Sequence, residues 1–98
     1  MLTVDYSSVI GSEKELDKVK WASKRGMLEL DLILEPYVDY AYQNLNLDDK
    51  KAFLALLTCE DQDLFCWFIK SQPADTEHTE TVDKVLSFKR AHQAKQAR

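Results

Sequence analysis

Glycine and proline are scarce in this sequence, with two of each among 98 residues. Tight turns between β-strands depend on these residues, so their scarcity argues against an all-β fold and favours a helical one. Long apolar runs are also lacking: no stretch is long enough to span a membrane, and no secretory or Arg-rich organellar leader is recognisable. We therefore expect a cytoplasmic protein without direct membrane insertion.

Cysteine and histidine also number two each. Cys59 and Cys66 lie seven positions apart, and the sequence contains no CxxC or CxxH pair, so it does not predict a metal site. Cys66 lies between aromatic neighbours, which predicts a small buried side chain. No nucleophile is paired with a base, and no two acids are placed for hydrolysis. We therefore expect no catalytic residues and a protein that is not an enzyme.

Positive charge is nearly missing from the middle of the chain. Residues 26–83 hold thirteen Asp and Glu side chains against three Lys, whereas residues 14–25 and 84–98 each hold five Lys and Arg. Nucleic-acid-binding domains usually present a basic face, so this distribution argues against nucleic acid. A protein partner of mixed charge fits the net charge of −4 better.

Apolar residues make up 45% of the chain, which at this length predicts one globular domain with a single core. Helical periodicity predicts an all-α, compact single-domain bundle of five short helices. Four are expected at residues 12–23, 27–43, 48–57 and 76–91, and another begins after Thr58. This domain spans residues 12–91, between a flexible amino-terminal arm at 1–11 and a frayed tail at 92–98 without an apolar side chain to hold it.

Capping signals mark three of the predicted helix starts. Ser12 and Glu15 have the spacing of a capping box, in which each side chain bonds the other residue's backbone. Asn46 is placed to cap the third helix, and Thr58, three residues before Asp61, is placed to cap the fourth.

Apolar side chains at helical spacing predict the core. Pro36 lies inside the second helix and is expected to bend it without ending it. The aromatic side chains expected in the core are Trp21, Phe53, Phe65, Trp67 and Phe68. The aliphatic ones include Leu16, Val19, Leu30, Leu34, Leu54, Leu56, Leu57, Leu64, Val82 and Val85.

The segment Lys24–Asp31 places Gly26 between a basic pair and an acidic helix start. It offers a guanidinium, a stretch of accessible backbone and a carboxylate within about one helical turn, a combination suited to gripping another surface. Gly26 has two interpretations. It can end a helix in the left-handed conformation, or its missing side chain can let a partner's backbone approach closely.

Glu29 also has two interpretations. At about 100° per residue it falls outside both the core stripe and the solvated acidic face of the second helix, among Ile33, Pro36 and Tyr40. It can stabilise the start of the helix, where the macrodipole favours an acid and Arg25 lies four residues earlier. Alternatively, its carboxylate can accept a hydrogen bond from a donor on a partner protein.

Three segments of the chain resemble a known family. WASKRGMLELD at residues 21–31 is similar to the W-A-x-[KR]-R-G-M-x-E-L-D signature of the SdhE flavinylation-factor family, the succinate dehydrogenase assembly factors. DQDLFCW at residues 61–67 resembles the family's D-x-D-L-F-x-W, and PAD at residues 73–75 also matches. The similarity covers residues 14–90 approximately.

The resemblance implies an assembly factor with a five-helix fold. Its members assist covalent attachment of FAD to the flavoprotein subunit of succinate dehydrogenase and, in bacteria, of fumarate reductase. Arg25, Gly26 and Glu29 match the R-G-x-x-E positions on which family function depends, and Met27 and Asp31 belong to the same motif. We expect these five residues to bind the partner. FAD would be the client's cofactor, and this chain, which lacks a dinucleotide-binding fingerprint, would bind none tightly.

An older family label, antitoxin CptB, suggests an alternative function. The chain would then be a protein-interaction module that acts as an antitoxin or cytoskeletal regulator. Such a module would use the same surface but require no flavoprotein, so the proteins that copurify with the chain distinguish the two hypotheses.

Overall fold

The computed structural model describes residues 9–96, with side chains described through residue 93. All regular elements in this range are helical, which confirms the predicted all-α fold with five α-helices. Two short 3-10 helices, Tyr42–Asn44 and Thr76–His78, precede α3 and α5. The α-helices are α1 (Glu15–Ser23), α2 (Leu28–Tyr40), α3 (Leu47–Leu56), α4 (Asp61–Phe68) and α5 (Thr79–Gln96).

Helix α2 is the centre of the bundle, because it packs against α1, α4 and α5. The predicted inner face of α3 is confirmed, and on α5 Val82 and Val85 are buried as predicted, whereas Leu86 and Phe88 are half-buried against the core. Each fully buried aliphatic side chain contributes about 1.5–3 kcal/mol to stability. The core consists of Val19, Leu30, Ile33, Leu34, Tyr37, Val38, Tyr42, Phe53, Leu54, Leu56, Leu57, Leu64, Trp67, Phe68, Val82 and Val85.

The core position predicted for Trp21 is wrong, since its side chain is 79% exposed. Helix α1 buries Val19 and Ser23, which lie one turn apart. Trp21 is two residues from each, and two residues rotate about 200° around a helix, so its indole points away from the core. Phe65 and Cys66 are half-buried, whereas the sequence predicted both to be inside.

Helix starts match the predicted caps in one case of three. The Asp49 N–H donates to Asn46 Oδ1 at 2.8 Å, which confirms the cap of α3. The capping box is wrong: the Ser12 hydroxyl donates to the Val9 carbonyl at 2.6 Å, and Glu15 accepts from the Gly11 N–H at 2.9 Å.

The cap predicted at Thr58 is also wrong, because its hydroxyl donates to the Ala55 carbonyl at 2.6 Å. The residue that precedes α4 is Glu60, two positions after the predicted cap, and the helix begins at Asp61. Helix α2 contains Pro36 as predicted but ends at Tyr40, where the first 3-10 helix takes over.

Helix α5 extends to Gln96, five residues beyond its predicted end at Ala91. The ring of His92 stacks on Phe88 at a centroid distance of 5.4 Å and contacts the Tyr40 ring at 5.0 Å. His92 therefore holds the extra turn against α2. Residues 1–8 of the predicted arm and residues 97 and 98 of the predicted tail lie outside the described residues. No helix within residues 9–96 has the length and apolar composition needed to cross a membrane.

Candidate partner-binding surface

The link between α1 and α2 carries the glycine-centred motif. Lys24 and Met27, on either side, are extended, whereas Gly26 has φ +78°. This is the left-handed region that residues with a Cβ rarely adopt, as the first interpretation of Gly26 predicted. The helix itself ends earlier, at Ser23, where the extended Lys24 follows. The second interpretation also keeps its physical basis, because a Cβ built on Gly26 meets no atom within 4 Å.

Arg25 is the centre of a hydrogen-bonded cluster that joins this link to the one between α3 and α4. Its guanidinium donates from Nε to Asp61 Oδ1 at 2.7 Å and from Nη2 to the Cys59 carbonyl at 2.7 Å. Nη1 donates to the Leu57 carbonyl at 2.8 Å and to the Ala22 carbonyl at 3.2 Å. Four of the five N–H groups of the guanidinium therefore have partners inside the domain.

This cluster changes the physical interpretation of Arg25. The side chain is only 13% exposed and pairs with Asp61, so the pairing with Glu29 that their spacing allowed does not form. A guanidinium engaged in this way positions the backbone that follows it. Its predicted direct contact with a partner stays a prediction.

Asp31 fixes the same backbone from the other side. Its Oδ1 accepts the Arg25 N–H at 2.9 Å, across the turn that contains Gly26. The Met27 carbonyl in turn accepts the Asp31 N–H at 2.9 Å, and the half-buried Met27 side chain packs against the core. Arg25, Met27 and Asp31 thus hold the link in one conformation, while Gly26 is left at its exposed crest.

Glu29 is exposed in the first turn of α2, and within residues 9–93 it forms no ion pair or side-chain hydrogen bond. Of its neighbours on the helix, Ile33 is buried, Pro36 is half-buried and Tyr40 is 62% exposed. The carboxylate therefore lies exposed at the start of α2, beside the edge of its buried face. We call the backbone at Gly26 together with Glu29 the Gly26–Glu29 surface.

Apolar side chains flank this surface. Leu28 and Leu32, one turn apart on α2, are 69% and 64% exposed. Exposed apolar groups next to an accessible backbone are typical of protein–protein contact sites.

Two features of this region were not predicted from the sequence: the contact of Asp61 with Arg25 and the exposure of Trp21. Asp61 lies 36 positions from Arg25, and no local pattern connects them. The exposure of Trp21 did have a signal, since Lys18 and Lys24 lie three residues on either side of it and place it on a charged face.

Cys59, next to the Arg25 cluster, carries a thiol, which is a potential nucleophile. Its surroundings reduce the reactivity of this thiol. Cys59 Sγ lies 3.3 Å from His78 Nε2. Burial, followed by the nearby carboxylates of Asp63, Asp75 and Glu77, raises the pKa of the Cys59 thiol. The thiolate is the reactive form, so this environment is the opposite of one that activates a cysteine. No three His, Cys, Asp or Glu side chains within the described part converge as metal ligands would.

The fold and this surface define a small helical domain that presents an exposed glycine and an exposed acid side by side. The family described as Flavinator of succinate dehydrogenase matches residues 17–89, and the chain belongs to that family. The matched region contains the whole Gly26–Glu29 surface and the Arg25 cluster.

Several bacterial proteins are similar to this chain. The FAD assembly factor SdhE of Idiomarina loihiensis is 47% identical over 64 residues, which cover 65% of this chain and 71% of that protein. The FAD assembly factor SdhE of Pseudomonas aeruginosa is 42% identical over 78 residues, or 79% of this chain and 93% of that protein. The corresponding protein of Francisella tularensis is 40% identical over 75 residues, or 76% and 79%.

Proposed function

We propose that this chain promotes covalent attachment of FAD to the flavoprotein subunit of succinate dehydrogenase, and also to that of fumarate reductase, by binding these clients through the Gly26–Glu29 surface. The observation that carries the proposal is an exposed carboxylate without a partner in the described domain, next to a glycine whose backbone is open to solvent. Both belong to the segment matched by the family.

The two groups have complementary tasks in this proposal. Gly26 lets a client backbone come within van der Waals distance of the link, since no Cβ intervenes. Glu29 accepts a hydrogen bond from a client donor, and a charged acceptor makes this bond stronger than one between neutral groups. Leu28, Leu32 and Tyr40 add apolar area around it.

Arg25 and Asp31 act through the backbone. Together with Asp61 they hold the link rigid, so the client meets a preformed surface and less conformational entropy is lost on binding. Arg25 is therefore a positioning residue, with its guanidinium directed inward.

The chain itself contributes positioning and no covalent step. The client's own active site joins the flavin to a histidine, and the bound factor favours the client conformation in which the two are aligned. FAD remains the client's cofactor throughout, and this chain holds none tightly.

Covalent flavin fluorescence of the client after denaturing electrophoresis tests the proposal. A strain that lacks this chain is complemented with the wild type, Gly26→Arg, Glu29→Gln or Glu13→Gln. We expect the flavin band with the wild type and with Glu13→Gln, which alters an exposed acid away from the surface. The band should be lost with Gly26→Arg and weakened with Glu29→Gln.

Thermal unfolding of the purified variants separates binding from folding. Glu29→Gln should lower the unfolding temperature only slightly, because the carboxylate has no partner in the described domain and loses only its interaction with the α2 macrodipole, about 0.3–1 kcal/mol. A full flavin band in the strain without the chain would contradict the proposal and favour the interaction-module alternative.

A further inference from the structure

A groove lies beside the Gly26–Glu29 surface, on the α1 side of the link. It encloses about 570 Å³ and is lined by Val9, Lys18, Trp21, Ala22, Lys24, Arg25 and Asp61. Trp21 has the highest exposed fraction, 79%, of the large hydrophobic side chains in the described part of the chain. We call this feature the Trp21 groove. The proposed function above makes no use of it.

The groove carries a net positive charge in a chain whose middle is acidic. Of its charged side chains, Arg25 and Asp61 pair with each other at 2.7 Å. Lys18 and Lys24 are exposed and have no carboxylate within 4.0 Å among residues 9–93. Lys20 of the same helix, by contrast, pairs with Asp39 at 3.3 Å. Among the described residues, two positive charges in the groove are therefore left without an acidic partner.

The spacing of the three side chains suits a single extended ligand. Lys18 and Trp21 lie about one turn apart on α1, and Lys24 directly follows the helix, where its N–H donates to the Trp21 carbonyl at 3.2 Å. An indole offers a large rigid apolar surface with a donor N–H at its edge, and Trp is among the residues that most often dominate the energy of a protein interface. A lysine on either side adds charge without covering the ring.

We propose that the Trp21 groove binds an acidic segment of the client flavoprotein, with an apolar client side chain on the indole and client carboxylates on Lys18 and Lys24. This inference rests on the proposed function, since it names a second contact with the same partner. Arg25 lines the groove and directly precedes Gly26, so the groove borders the link that carries the Gly26–Glu29 surface. Lys18 and Lys24 have no acidic partner within residues 9–93, so the groove favours a ligand of negative charge.

Fluorine NMR of the chain labelled with 5-fluorotryptophan tests this contact directly. The chain has only two tryptophans, and Trp67 is 6% exposed in the core, so it serves as an internal reference. Unlabelled client subunit without covalent flavin is added to the labelled protein. We expect the Trp21 resonance to shift or broaden while the Trp67 resonance stays in place.

The affinities of matched variants for the client test whether the positive charge of the groove contributes to binding. Lys18→Glu/Lys24→Glu is compared with Lys51→Glu/Lys70→Glu, which changes the net charge equally at exposed lysines elsewhere. We expect the first pair to weaken client binding about tenfold or more at low salt, and the second to leave it within about twofold. Trp21→Ala should weaken binding by about 30-fold, as truncation of an interface hot spot does.

Three results would overturn the inference. Suppose that Glu29→Gln weakens client binding but the client leaves the Trp21 resonance of the wild type unmoved. The proposed function then stands and the groove contact fails. If free FAD alone, or a higher concentration of the chain alone, shifts Trp21 in the same way, the groove belongs to a dinucleotide or to a second copy of the chain. If the wild type does not bind the client at all, the proposed function fails and this contact fails with it.

Discussion

Arg25 Nε lies 2.7 Å from Asp61 Oδ1, and this bond connects the α1–α2 link to the start of α4. The same guanidinium reaches the carbonyls of Leu57 and Cys59 at the end of α3. The backbone at Gly26 is thus held by groups far away in the sequence. The rigidity of the candidate binding surface therefore depends on Asp61 as well as on the motif itself.

Removal of the Arg25 side chain is expected to destabilise the whole domain. Arg25→Ala leaves the Leu57 and Cys59 carbonyls and the Asp61 carboxylate without their donor, which should lower the free energy of unfolding by about 2–3 kcal/mol. Asp61→Asn keeps a neutral acceptor and should cost less, about 1 kcal/mol. Urea denaturation followed by circular dichroism measures both changes.

Lys24→Ala is the control for Arg25→Ala, because it removes an adjacent basic side chain that is exposed. It should change stability by less than about 0.5 kcal/mol. If Arg25→Ala abolished client flavinylation at wild-type stability, Arg25 would be a direct partner contact and its positioning role would be wrong.

The two glycines allow the conformational and the steric roles of Gly26 to be separated. Gly11 and Gly26 both have positive φ, +83° and +78°, and a Cβ on either meets no atom within 4 Å. Alanine at each position should therefore cost a similar amount, about 1–2 kcal/mol of backbone strain. Thermal unfolding measures this cost.

Covalent flavin on the client then reports the steric role. Gly11→Ala should leave flavinylation intact, whereas Gly26→Ala should reduce it at equal stability, because the added methyl group faces the client. Equal flavinylation by the two variants would mean that Gly26 serves only the backbone conformation.

The pH dependence of stability should contain a contribution from Glu15. The Gly11 N–H and the Tyr42 hydroxyl, at 2.9 and 2.8 Å, together with Lys50, lower the pKa of Glu15 below its ordinary value of 4.5, although burial opposes them. A lowered pKa in the folded state stabilises the fold above the ordinary pKa, and this contribution disappears as the pH falls through the folded value.

Glu15→Gln should therefore flatten the loss of thermal stability below about pH 4.5. Melting temperatures measured from pH 7 down to pH 3 check this, with Glu13→Gln as the control for an exposed acid in the same segment. If the melting temperature of Glu15→Gln fell with pH as steeply as that of the wild type, the carboxylate would be equally stabilised in the unfolded chain.

Much of the fold followed from interactions between residues close in the sequence. The helix count, the inner face of α3 and the Asn46 cap depend on neighbours three or four positions apart, which a helix brings together wherever it forms. The positive φ of Gly26 was likewise foreseen, because a glycine after a helical segment usually adopts it.

The wrong predictions of helix ends involve residues whose side chains had more than one possible interaction partner. Ser12 and Thr58 each had an acid three residues ahead, yet both hydroxyls donate to a carbonyl three residues behind instead. His92 has no apolar side chain, but its ring finds Phe88 and Tyr40, and α5 therefore continues past its predicted end.

The sequence by itself determined that the described part of this protein is all-helical, with an accessible glycine before its second helix and an acid at the start of that helix. Periodicity and local backbone preferences act within a few residues, so they are encoded without reference to the rest of the chain. Only the tertiary structure decided that Arg25 faces inward and that Trp21 faces solvent. Both outcomes depend on how α1 docks against α2, and on groups at positions 57–61 that chain folding brings next to residue 25.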